Sequence, residues 1–173
     1  SKSKFVIYEQ SYDAVTGAPH DNGRDKIDSY VNTSLNGKAA NLNDQFIYDM
    51  ANNPFNYTFL HYRDPDAFVH YVGWGSPPWQ EAVTGVDSYL GDLFNLIDND
   101  PILKDKTTII LTSDHGGKWR TPTYPDWSSG YTIPFYVRGS NVAQGVDLYS
   151  LNTATGLDPE SDRPDYDAPA QPI

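Results

Sequence analysis

Tyr57-Thr58-Phe59-Leu60-His61-Tyr62 and Thr107-Thr108-Ile109-Ile110-Leu111-Thr112 bracket the stretch that decides the fold. The first is a β-branched and aromatic run of strand length. The second is apolar on both faces, as expected of a buried parallel strand. Between them, Trp79, Ala82, Val83, Val86, Leu90, Leu93, Phe94 and Ile97 fall on one broad face of a helix. Ser76-Pro77-Pro78 suits its first positions and Asp100-Pro101 ends it. Strand, helix and strand in this order predict a right-handed crossover between parallel strands, from Tyr57 to Thr112.

Working outward, Phe5-Val6-Ile7-Tyr8 reads as a short strand followed by a polar loop with Gly17, Pro19, Asn22 and Gly23. From about Ala39 to Met50, Leu42, Phe46, Ile47 and Met50 keep the helical period, and Asn52-Asn53-Pro54 stops it. A last strand is expected over Tyr131–Val137, where Pro134 favours an edge or a bulge. The expectation is an α/β fold, a mostly parallel sheet flanked by helices, occupying residues 1–155. Residues 156–173 read as an acidic, proline-rich extended segment. A calcium loop of the EF-hand kind is not supported there, because Arg163 and Pro169 occupy the places of its glycine and glutamate.

Composition narrows the function. The 173 residues carry 12 basic and 23 acidic side chains, a formal charge of −11, which repels polyphosphate backbones and argues against a nucleic-acid scaffold. Without cysteine there is no disulfide, thiol catalysis or zinc knuckle. No apolar run approaches the roughly 18 residues that span a bilayer. Gly73-Trp74-Gly75-Ser76-Pro77 is not a nucleophile elbow, and no phosphate loop of the Gly-x-x-x-x-Gly-Lys-Ser type occurs.

Ligands of open parallel sheets bind beyond the carboxyl ends of the strands. One strand is followed there by Arg63-Asp64-Pro65-Asp66-Ala67-Phe68-Val69-His70, the other by Ser113-Asp114-His115-Gly116-Gly117. A helical turn puts Asp66 and His70 on one face. Adjacent Asp114 and His115 converge only in a loop, for which Gly116 and Gly117 supply backbone freedom. Carboxylate oxygen with imidazole nitrogen is a ligand set for zinc or a similar ion, although each pair alone is also an ordinary polar pair. His61 reads as a packed core histidine and His20 as exposed. Arg63 suits either an oxyanion or an ion pair with Asp64 or Asp66. Trp119, Tyr124, Trp127 and Tyr131 suit loop packing or stacking on a sugar or other ring.

These segments resemble the alkaline phosphatase superfamily, in particular its type I phosphodiesterase/nucleotide pyrophosphatase branch. Asp66 to His70 looks like that branch's Asp-x-x-Gly-His segment, and Thr112-Ser113-Asp114-His115-Gly116-Gly117 like its Asp-His-Gly loop. Val86-Asp87 within the intervening helix and Tyr131-Thr132-Ile133-Pro134-Phe135 fit in order and spacing, so the resemblance covers most of residues 5 to 140. It implies hydrolysis of phosphoric esters with two divalent ions, usually zinc. Asp66 and His70 would bind one ion, Asp114 and His115 the other, and the substrate would be a small phosphate ester. It also implies a secreted or periplasmic location.

Three departures accompany the resemblance. The family's upstream aspartate and its serine or threonine nucleophile have no match here, so the chain is expected to be a C-terminal part, inactive alone, that needs the preceding part of the same protein. No histidine follows His115, and Val69 stands where the family has glycine. The last two motivate an alternative, a non-catalytic binding module derived from such an enzyme. Its ligand class would be carbohydrate if the Trp and Tyr side chains are the binding surface.

Overall fold

The structure, a computed structural model, describes residues 5–9, 28–33, 38–121 and 128–151. His20, the loop from Gly17 to Gly23, Tyr124, Trp127 and the segment 156–173 lie outside the described residues. The chain divides into two compact units, Ser1–Lys106 and Thr107–Ile173.

In the first unit, β1 (Phe5–Glu9), β2 (Ser29–Asn32) and β3 (Tyr57–His61) form a parallel sheet in the order β2-β1-β3. Val6 pairs with Ser29 on one side of β1, and Phe5 with Tyr57 on the other, through to Glu9 with His61. The chain runs from β1 to one neighbour, then crosses to the opposite edge. A strand order that reverses in this way opens a crevice at the carboxyl ends of the strands. The β2 strand was not anticipated: Ser-Tyr-Val-Asn is too short and polar to show an alternation of its own.

Helix α1 (Ala39–Asn52) follows the expected period, burying Ala39, Leu42, Phe46 and Met50. It stops where the Asn53 N–H donates to the Asp49 carbonyl and Pro54 offers no donor. Its N-cap residue Lys38 has no capping side chain; instead Asp64, 25 residues on, accepts from the Ala39 N–H at 3.1 Å. A carboxylate there satisfies an orphan donor and complements the positive end of the helix. Asp64 also opens α2 (Asp64–Val72), which ends at Gly73 with φ +91°, a conformation that favours glycine.

Helix α3 (Pro77–Asn99) carries two prolines at its start and buries Leu93 and Ile97, and both α1 and α2 pack against it. Beyond its end, the Asp100 carboxylate accepts from the N–H groups of Ile102 and Leu103 at 2.7 and 3.1 Å, a tight turn that carries Leu103 into the core. No helix among the described residues is long and apolar enough to cross a membrane.

One polar group is deep in this unit. Asn43 is 2% exposed. It accepts from the Tyr62 hydroxyl at 2.8 Å and donates to the Asp92 carboxylate at 3.1 Å, joining the exit of β3 to α1 and α3. The Tyr62 ring also lies 5.6 Å from that of Tyr89, tilted by 41°. Burial pushes the Tyr62 hydroxyl well above the ordinary 10.0, helped by Tyr89 and the Asp92 charge. The native state therefore holds this proton where an unfolded chain releases it. Stability from this group is intact below the ordinary tyrosine pKa of about 10 and falls as pH rises beyond it. Urea unfolding at a series of alkaline pH values is expected to show a steeper loss for the parent chain than for Tyr62→Phe. Parallel curves would contradict it.

In the second unit, β4 (Ile109–Thr112) pairs antiparallel with β5 (Phe135–Arg138), Ile109 against Arg138 and Thr112 against Phe135. Short helices α4 (Ser128–Tyr131) and α5 (Leu148–Leu151) accompany them. This corrects two expectations. First, the strands of the first unit are parallel as expected, but β4 pairs antiparallel with β5 and is not buried on both faces, with Ile110 61% exposed. A β-branched apolar run is as well suited to an antiparallel partner as to a parallel one. Second, the last strand begins at Phe135, because Ser128–Tyr131 folds as a helical turn. Both the N–H and the hydroxyl of Thr132 close that turn on the Ser128 carbonyl, at 2.9 and 2.8 Å. Pro134 precedes the ladder, where its missing N–H costs nothing, and its carbonyl accepts from the Thr112 hydroxyl at 3.0 Å. The α/β class stands, as helices with small sheets.

Candidate metal-ligand pairs

In the first unit, β3 ends at His61, and Tyr62-Arg63 lead directly into α2 at the carboxyl edge of the sheet. Pro65 in the first turn fixes a helical backbone, and Asp64 and Asp66 lie at the end of the helix that favours negative charge. Asp66 and His70, one turn apart, approach through Oδ1 and Nε2 at 3.4 Å, both partly open to solvent. Val69 is 0% exposed. Its bulk fills the core and leaves Asp66 and His70 accessible. His61 is half-buried rather than a core residue, its ring 6.4 Å from the half-exposed Phe59.

In the second unit, the loop after β4 brings Asp114 and His115 together. The Asp114 Oδ1 accepts from the His115 N–H at 3.1 Å, while its Oδ2 lies 3.6 Å from His115 Nε2. The other ring nitrogen, Nδ1, is 2.9 Å from the Gly116 carbonyl. Gly116 is buried, and its N–H donates to the Gly130 carbonyl at 2.8 Å. A β-carbon on Gly116 would overlap the Ser129 carbonyl oxygen and stand 2.9 Å from that of Thr132. Glycine is therefore required by close backbone approach. Trp119 lies beyond this loop, 71% exposed and with φ +60°.

Each pair has the reach of two ligands on one ion. Zinc bonds of about 2.0–2.1 Å in tetrahedral geometry put ligand atoms about 3.3–3.4 Å apart. The 3.4 Å and 3.6 Å separations are close to that edge. Among the described residues, no group of three or more His, Asp or Glu side chains gathers into a metal-sized cluster. What the sequence did not disclose is the surrounding support: the Asp64 cap, and the carbonyls of Gly116, Ser129 and Gly130. Backbone carbonyls have no sequence signature. The only clue was the Gly-Gly pair, read as freedom where the structure uses Gly116 for closeness.

The sequence model of the type I phosphodiesterase / nucleotide pyrophosphatase family matches residues 4–137. Comparison with curated protein sequences finds no match. Among solved structures, the chain is similar to murine ectonucleotide pyrophosphatase/phosphodiesterase 5, an inactive form in complex with AMP. Identity is 24% and the TM-score 0.47, over 66% of this chain and 29% of that one.

Proposed function

Because the chain belongs to the type I phosphodiesterase / nucleotide pyrophosphatase family, we propose that it forms part of a metal-dependent hydrolase of small phosphoric esters. In this reading Asp66 and His70 hold one divalent ion and Asp114 and His115 another, with zinc the ion suited to carboxylate and imidazole donors. The attacking hydroxyl lies outside residues 1–173, and the site of action is extracytoplasmic. The observation that carries the reading is the pair of Asp–His contacts at 3.4 and 3.6 Å, each in a segment covered by the family match.

Bound divalent ions would neutralise charge on the phosphoryl oxygens and activate the attacking oxygen. The chain's own contribution is placement. Helix α2 presents Asp66 and His70 from consecutive turns of one rigid element. The loop after β4 turns the Asp114 carboxylate toward His115 by tying its second oxygen to the backbone. Val69 keeps α2 packed, so the ligand face is held by a core contact.

Elemental analysis after loading with zinc and gel filtration in metal-free buffer tests this. The parent chain is expected to retain about one zinc or more, and Asp114→Ala and Asp66→Ala each to retain less, since removing one of two protein ligands leaves little to hold an ion. Equal zinc in the parent and both variants would place any bound metal elsewhere and sink the assignment.

A further inference from the structure

We propose that the turn Ser128–Tyr131 sets the tautomer of His115 and thereby decides which ring nitrogen faces a metal. The proposal rests on the reading of Asp114 and His115 as ligands. A carbonyl oxygen only accepts, so the 2.9 Å contact between His115 Nδ1 and the Gly116 carbonyl is a hydrogen bond only with the hydrogen on Nδ1. A neutral ring then carries its lone pair on Nε2, the nitrogen on the side of Asp114 Oδ2. In water a neutral histidine ring prefers the opposite arrangement, with the hydrogen on Nε2. The loop thus selects the less common form, the one that binds metal through Nε2.

The Gly116 carbonyl acts in this way because it is not free to turn. Its peptide is anchored by the bond from the Gly116 N–H to the Gly130 carbonyl at 2.8 Å. The carbonyls of Ser129 and Thr132 wall the same residue so closely that no side chain fits. The turn supplying these carbonyls is closed by the two Thr132 bonds to Ser128 O. A connected path therefore runs from Thr132 through the turn to Gly116 and on to the imidazole. Gly116 and Thr132 are positioning residues: they act on the ligand atom through His115.

Long-range proton–nitrogen correlation NMR of the metal-free full chain reads the tautomer directly, at a pH about two units above the ordinary histidine pKa of about 6.5. His115→Gln identifies the His115 signal by its loss. The expected result is a single Nδ1–H pattern for His115. An Nε2–H pattern, or an average of the two forms, overturns the proposal. Gly116→Ala is expected to give the averaged pattern and zinc binding weaker by roughly 10–100-fold, the usual effect of losing a supporting contact. Thr132→Val keeps the backbone bonds and should shift the pattern the same way by less. An unchanged Nδ1–H pattern in both variants overturns the role of the turn. Zinc retention without the Nδ1–H form defeats this inference alone, whereas the Nδ1–H form without zinc retention defeats the metal reading alone.

Discussion

Replacing Val69 by glycine is expected to lower stability by about 3 kcal/mol without improving zinc retention. Val69 is fully buried in α2. Burial of a valine side chain contributes about 1.5–3 kcal/mol. Glycine is also roughly 0.3–0.5 kcal/mol worse than valine in a helix interior, and the cavity adds to both. Urea denaturation gives the change in stability, and elemental analysis gives the metal content. A stable Val69→Gly chain that holds more zinc would show that valine obstructs the site. The expected result shows instead that the helix has taken over the space a glycine would leave, with its ligand face intact.

The second large effect concerns the buried amide. Asn43→Leu is expected to cost about 1–3 kcal/mol, because a partly buried hydroxyl left without its acceptor loses part of its solvation for no return. That hydroxyl belongs to Tyr62, whose acceptor is Asn43 Oδ1. The Asp92 carboxylate, also deprived, is exposed and regains water. Adding Tyr62→Phe to Asn43→Leu should therefore recover most of the loss, since removing both partners of a buried bond is close to neutral. The double-mutant cycle measures this by denaturation. If the two losses simply add, the bond is not the source of the cost.

These two residues also show how much the sequence disclosed. Asn43 lies next to Leu42 on the inner stripe of α1, where a polar residue signals a buried partner, yet nothing in the chain names Tyr62 or Asp92. The stripes of α1 and α3 were legible, because apolar spacing at three and four residues reports a helix packed on one side. The Asp66–His70 pair was legible for the same reason: helical spacing fixes a contact without knowledge of anything distant. The partner of β4 was not, since Thr-Thr-Ile-Ile-Leu-Thr states a preference for extended backbone and none for direction. Nor was the start of β5, where closure of a four-residue turn by Thr132 outweighed the strand preference of Tyr131-Thr132-Ile133.

The strand order β2-β1-β3 has a consequence for how the first unit is made. The central strand is Phe5–Glu9, the first of the three to leave a ribosome, and both of its neighbours arrive later; Phe5 finds Tyr57 only after α1 has been synthesised. No pair of strands in this sheet forms without β1, so the nascent chain carries two unsatisfied edges until its partners emerge. Non-local pairing of this kind folds slowly, and open edges recruit foreign strands. Soluble production of this unit is therefore expected to be sensitive to what shields β1 during translation.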